Sequence, residues 1–183
     1  DRKGFVEVDG LYRTNVPGVY AIGDINGKMQ LAHVASAQGL LVADHIAGKP
    51  CKQLHYERIP SCVYCNPETA MVGLTEEQAQ ATGRDVGVGT FSLSGNGKAL
   101  TMGENKGFAK FVYDKATDEI LGFHIIGPRA TDLAAEVAAV MECEGTVAEI
   151  GRTVHPHPTV SEVVMEAAHV CHSTCVNAPK PRR

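Results

Sequence analysis

Gly107-Phe108-Ala109-Lys110-Phe111-Val112-Tyr113 is followed by the polar stretch Asp114-Lys115-Ala116-Thr117-Asp118-Glu119 and then by Ile120-Leu121-Gly122-Phe123-His124-Ile125-Ile126. Two runs rich in aromatic and β-branched residues around a polar connection read as a β-hairpin. Upstream, residues 61–65 and 86–93 also carry strand character, and Thr75-Glu76-Glu77-Gln78 opens an expected helix at about 75–82. Downstream the pattern turns helical, first over about 131–144, then in shorter pieces near 146–151 and 160–173. Strands grouped before helices predict an α+β domain, an antiparallel sheet with flanking helices. The 131–144 helix is rich in Ala and Val (Ala134, Ala135, Val137, Ala138, Ala139, Val140). Small side chains on most of its faces suit close packing against another helix, its own chain's or a partner's.

The first 48 residues have a different character and read as the tail of an α/β unit. Phe5-Val6-Glu7-Val8-Asp9 alternates like a strand, and Val19-Tyr20-Ala21-Ile22 is a short apolar run suited to a strand buried on both faces. The run ends at Gly23-Asp24, and a helix is expected from about Ala32 to Ala47, closed by Gly48 and Pro50. Such a placement puts the Asp24 carboxylate at the carboxyl edge of a sheet, where open α/β sheets bind ligands, although an Asp after a strand also serves simply as a turn or cap residue. Residues 49–58 read as a linker, 59–175 as the α+β domain and 176–183 as a loose tail.

Composition bounds the function classes. A net charge of −4 argues against nucleic acid or an anionic membrane as partner. No run approaches the ~18 apolar residues of a membrane helix. The N-terminus, Asp1-Arg2-Lys3-Gly4-Phe5-Val6, has no starting Met and no signal-peptide core, so the chain is expected to be part of something longer. Six cysteines at this length are expected to be mostly reduced thiols in a cytosolic-type compartment, a bacterial cytoplasm before a mitochondrial matrix.

His155-Pro156-His157-Pro158-Thr159-Val160-Ser161-Glu162 holds the chemistry. A histidine and a carboxylate five residues apart can make an oriented base for removing a proton from a thiol or hydroxyl. The same letters fit a capping box, with Thr159 capping a helix and Glu162 reaching back to its amide. The two readings are compatible.

Taken in order, TNVPGVYAIGD (Thr14 to Asp24), Leu31-Ala32-His33, Ile59-Pro60-Ser61 to Asn66-Pro67-Glu68, Val72-Gly73-Leu74-Thr75-Glu76, the LGFHIIG run from Leu121, and His155 to Glu162 resemble the C-terminal part of the flavin-dependent pyridine nucleotide–disulfide oxidoreductases. Leu31-Ala32-His33 and the two-histidine form HPHPTVSE look more like the dihydrolipoamide dehydrogenases than the glutathione reductases. The likeness runs to about Ala168. It implies that residues 1–48 close an FAD-binding domain and that the rest is the interface (dimerisation) domain of a homodimer. Asp24 would bond the ribityl chain of FAD, and Leu31, Ala32 and His33 would open a helix whose amides face the flavin; the His33 side chain either contacts it or only packs. His157 would be the base, reaching into the partner subunit's site to take a proton from dihydrolipoamide, with Glu162 orienting it. His155 would shape the loop. Electrons would pass to FAD and on to NAD⁺, in the service of a lipoylated acyltransferase or glycine-cleavage carrier protein.

Two parts of that machinery are absent from these residues: a Gly-x-Gly-x-x-Gly phosphate loop and a redox Cys-x4-Cys pair. The chain alone is therefore expected to be inactive, which keeps open an isolated non-catalytic dimerisation module, as well as a glutathione-reductase-like disulfide reductase. Cys62-Val63-Tyr64-Cys65 lies on an expected strand, whose alternation puts the thiols on opposite faces. His169, Cys171, His172 and Cys175 could share a metal if the last helix continued, against the plainer reading of a frayed helix end with incidental thiols; no metal site is expected.

Overall fold

The computed structural model describes residues 2–178, so residues 179–183 of the expected tail lie outside the described residues. Two compact units are present, Asp1–Tyr56 and Glu57–Arg183.

In the larger unit the quoted hairpin forms as two strands, β4 (Phe108–Asp114) and β5 (Ile120–Ile126). They pair antiparallel from Phe108↔Ile126 through Phe111↔Phe123, with a register irregularity at Val112/Tyr113. Asp118 closes the turn at φ 63°, a left-handed conformation that Asp tolerates better than most side chains. Three more strands, β1 (Ser61–Val63), β2 (Thr69–Gly73) and β3 (Val86–Ser92), complete a five-stranded sheet in the order β1-β2-β5-β4-β3. Every neighbouring pair is antiparallel.

The central position of β5 explains its composition. Ile120, Leu121, Phe123 and Ile125 are all buried, which a one-sided strand would not require. One face of the sheet packs against α4 (Ala130–Glu142) and α6 (Glu162–Cys171). On the other, Leu121 and Val112 pack around Ala79 of α2 (Glu76–Ala81). Helix α4 turns small and apolar residues inward at Ala130, Ala134, Val137 and Met141, a helical stripe against β2 and β5.

The helices begin where their caps dictate. Thr75 and Gln78 form a reciprocal capping box on α2. At α5 (Val147–Arg152) the Thr146 amide donates to Glu149 Oε2 at 2.8 Å. Asp118 ties the hairpin turn to α5 and to the C-terminal cap of α6: Oδ2 accepts from Ala148 N and Oδ1 bonds His172 Nε2, each at 2.8 Å.

Two elements escape the sequence reading. Strand β2 is short and lacks a long alternating run. Helix α3 (Gly97–Met102) opens on a glycine, yet Asn96 caps it by accepting from Ala99 N at 2.9 Å, a cue that was present in the sequence.

In the unit Asp1–Tyr56, the strands expected at 5–9 and 19–22 do not form ladders. The first is linked by Val6 N→Ile25 O at 2.9 Å and the second by an isolated bridge, Arg13↔Tyr20. A strand exists only beside a partner, and the described residues of this unit supply none. Helix α1 (Ala32–Ile46) does form, directly after Leu31.

Candidate active site and its relatives

Helices α5 and α6 are joined through the two-proline segment His155–Ser161, in which the His157–Pro158 peptide is cis. The segment is tied down at several points. His155 Nδ1 meets the Thr153 carbonyl at 2.9 Å and Nε2 meets Glu136 Oε1 of α4 at 2.8 Å. Thr159 Oγ1 donates to the Pro156 carbonyl at 2.7 Å, and Asn96 Nδ2 donates to the Thr159 carbonyl at 3.1 Å.

On this loop His157 Nδ1 lies 2.9 Å from Glu162 Oε1, while Glu162 Oε2 accepts from Thr159 N at 3.0 Å. One carboxylate therefore makes both contacts, to the His157 ring and to the Thr159 amide, while the threonine half of the capping box is not made. Thr159 Oγ1 is spent on Pro156 and Ser161, and helix α6 starts at Glu162 itself. Burial pushes the Glu162 carboxyl up, but the Thr159 amide and the His157 imidazole together outweigh it and hold the group below its ordinary value. An ionised carboxylate only accepts, so His157 Nδ1 carries the hydrogen, and in the neutral ring the lone pair is on Nε2. The His157 side chain is 76% exposed and Glu162 only 18%, so the imidazole faces outward from a half-buried support.

The other expected site residues lie in the smaller unit. Asp24 is exposed, in the turn Gly23–Asn26, and Leu31, Ala32 and His33 form the start of α1, where Leu31 supplies no side-chain cap to the first amides. Gln38, absent from the sequence reading, holds this arrangement together. Fully buried on α1, it accepts from Gly23 N at 2.7 Å and Asn26 Nδ2 at 2.9 Å, and donates to Tyr56 Oη at 2.9 Å. Its signal was a polar residue on the apolar stripe Val34, Gln38, Leu41. Gly23 is required at φ +74°, where an added Cβ would also crowd Ala35 at 3.2 Å. Gln38→Ala would leave the buried Gly23 amide without its acceptor, while Asn26 keeps the Ala21 carbonyl and Tyr56 keeps Tyr12, and we expect it to cost about 1–3 kcal/mol. Faster amide exchange at Gly23 would report the loss; unchanged exchange would show that the turn is held otherwise.

The cysteine alternatives separate in space. Cys62 Sγ contacts the Thr131 carbonyl at 3.9 Å, whereas Cys65 Sγ turns to the Pro67 carbonyl at 3.0 Å. His169 bonds the Gly151 carbonyl, Cys175 bonds Glu166 and His172 bonds Asp118. Burial pushes the Cys171 thiol up to about 12. Among the described residues no group of three or more His, Cys, Asp or Glu side chains is placed to hold a metal ion. Nor is any helix among them long and apolar enough to cross a membrane.

Residues 59–168 match the family described as pyridine nucleotide-disulphide oxidoreductase, dimerisation domain, and residues 1–39 match the pyridine nucleotide-disulphide oxidoreductase family. The dihydrolipoyl dehydrogenase of Bacillus subtilis is 46% identical over 165 residues, 90% of this chain and 35% of that protein. The Cupriavidus necator dihydrolipoyl dehydrogenase is 47% identical over 169 residues, 92% of this chain and 35% of its own length. Among solved structures, LpdA from Mycobacterium tuberculosis superposes with a TM-score of 0.85 at 28% identity, over 90% of this chain and 36% of that one. The HOCl-induced flavoprotein disulfide reductase RclA from Escherichia coli gives 0.84 at 25% identity, over 90% and 38%. The chain thus spans little more than a third of the length of these relatives. With the antiparallel sheet, the flanking helices and the dimerisation-domain match over 59–168 in agreement, the chain belongs to the pyridine nucleotide-disulphide oxidoreductase family.

Proposed function

We propose that this chain is the base-bearing, dimer-forming portion of a homodimeric flavoprotein that oxidises protein-bound dihydrolipoamide to lipoamide with NAD⁺ as final acceptor. One observation carries the reading: an exposed His157 whose Nδ1 is fixed by the half-buried Glu162 carboxylate, so that Nε2 is left free of that bond. In this reading residues 1–48 close the FAD-binding domain, 49–58 link it, and 59–175 form the interface domain. The lipoylated partner is an acyltransferase or a glycine-cleavage carrier protein. The bacterial relatives named above support a bacterial setting.

The chemistry asked of these residues is one proton transfer. His157 Nε2 takes a proton from a dihydrolipoamide thiol at the partner subunit's site, and the resulting thiolate attacks a redox disulfide. Glu162 holds the imidazole in the Nδ1–H tautomer and stabilises the imidazolium that forms, as the third member of a hydrolase triad does. Overall two thiols give up two protons and two electrons and form one S–S bond. NAD⁺ takes both electrons and one proton, and the other proton is released.

The disulfide belongs to another part of the longer protein, because this sequence contains no Cys-x4-Cys pair. The donor chemistry of the smaller unit fits a flavin. Asp24 offers an exposed carboxylate on a fixed turn, suited to a polyol hydroxyl, and Leu31, Ala32 and His33 open a helix whose first amides have no side-chain cap. FAD, when bound, supplies the two-electron relay between the dithiol and the nicotinamide.

The test is a substrate comparison on the full-length protein. NAD⁺ reduction by dihydrolipoamide is expected, with NADPH-dependent reduction of glutathione disulfide at background. The reverse preference would transfer the chain to the glutathione-reductase-like alternative, and activity on neither would leave it a dimerisation module.

A further inference from the structure

Two histidines of the octapeptide face opposite environments. His157 is largely exposed, whereas the His155 side chain is 4% exposed. Both nitrogens of His155 are engaged, Nδ1 with the Thr153 carbonyl at 2.9 Å and Nε2 with Glu136 Oε1 at 2.8 Å. A carbonyl and an ionised carboxylate are acceptors only, so each ring nitrogen must carry a hydrogen, and a ring with two N–H groups is a cation.

We infer that His155 is held as a lasting imidazolium between Thr153 and Glu136, and that it is the positioning residue of the His157–Glu162 pair, fixing the loop to α4 and setting a positive charge near the Glu162 carboxylate. The charged groups that act on it come from both packed helices, Glu136 of α4 and Glu162 of α6. The bond to Glu136 favours the protonated ring most, burial opposes it, and the Thr153 carbonyl adds to the gain, so His155 stays protonated above its ordinary range. In return the His155 charge helps to keep Glu162 ionised. Charges then alternate along the loop: Glu136 negative, His155 positive, Glu162 negative, with His157 at the end able to gain a proton beside an anion. The role of His157 as a base rests on the proposed function; the charge state of His155 does not.

A pH dependence with a definite sign follows. Because folding raises the His155 pKa, the tie contributes its full stability below the unfolded value near 6.5 and loses it as pH rises through the folded value. Glu136→Gln removes that dependence.

Histidine-selective ¹⁵N NMR of the whole chain tests the charge. At about pH 8, above the ordinary imidazole range, one ring is expected to remain doubly protonated, to vanish in His155→Gln, and to become neutral in Glu136→Gln. Carbon-13 carboxyl titration is expected to place the Glu162 midpoint at higher pH in both variants, a shift that loss of packing alone would not produce. A neutral His155 in the wild-type chain at that pH overturns the inference. So does an unmoved Glu162 midpoint in a variant that keeps the native spectrum. Should His155→Gln fail to fold, the isosteric Glu136→Gln and the wild-type ring decide it. Failure of the proposed function would appear elsewhere, in the substrate comparison, and would leave these spectra as expected.

Discussion

Replacing His157 by Gln in the full-length protein is expected to lower dihydrolipoamide oxidation by about 10²–10⁴-fold, the range that a positioned general base contributes. The substitution is mild for the fold. His157 is 76% exposed, and its side chain bonds Glu162, which keeps its other bond to the Thr159 amide. Thermal stability and flavin content should therefore stay near wild type while turnover collapses. Glutamine keeps a donor for Glu162 but offers no basic nitrogen, so the loss should fall on kcat more than on KM. The acid side of the profile has a sign as well. Glu162 is held below its ordinary carboxyl value, so it stays ionised through neutral pH, and its support for His157 fades only as pH falls through that lowered value. Near-normal turnover in His157→Gln, with flavin bound, would remove this histidine from the chemistry and the proposed function with it.

The site and its scaffold were legible to different degrees, for physical reasons. His157 and Glu162 could be paired from sequence because a five-residue spacing across a tight turn is local, and the carboxylate had a second local task at the Thr159 amide. The central hairpin was legible because hydrophobic runs and polar turn sit side by side in the chain. Glu136 and Asn96 were not. They reach the same loop from α4 and from the start of α3, and nothing in local spacing announces a contact made by tertiary packing. The strands expected at 5–9 and 19–22 failed for a related reason: strand propensity is a preference for a partner, and no neighbouring strand lies among the described residues of that unit. Gly122 marks the opposite case. It was visible as part of the LGFHIIG run, but its reason, a Cβ that would collide with the Leu74 carbonyl, appears only in three dimensions.

Phe123→Ala is expected to cost about 3–5 kcal/mol, the range for truncating a fully buried aromatic residue. Phe123 is completely buried on the central strand, with Val72 of β2 as its register partner on one side and Phe111 of β4 on the other. Its ring stacks on Phe111 with centroids 4.7 Å apart and planes tilted by 45°, a contact worth about 0.5–1.5 kcal/mol beyond burial. The surrounding core draws on the sheet and on both α4 and α6, including Val137, Val163 and Val164. A cavity here cannot be filled by one moving side chain, because the helices above it are tied to the sheet at several points, His172 to Asp118 among them. Set against a total stability of roughly 5–15 kcal/mol for a domain, the loss is a large fraction. The loop bearing His157 hangs between α5 and α6 and is pinned to α4, so it depends on that same core. Urea unfolding at fixed protein concentration should show the midpoint falling with little change in slope, and Phe123→Leu, which keeps most of the volume, should lose less. A shift below about 1 kcal/mol for the alanine variant would mean that the core can close over the gap. In that event the rigidity assigned to the base loop must come from its own hydrogen bonds and from the His155–Glu136 tie instead of from the sheet beneath it.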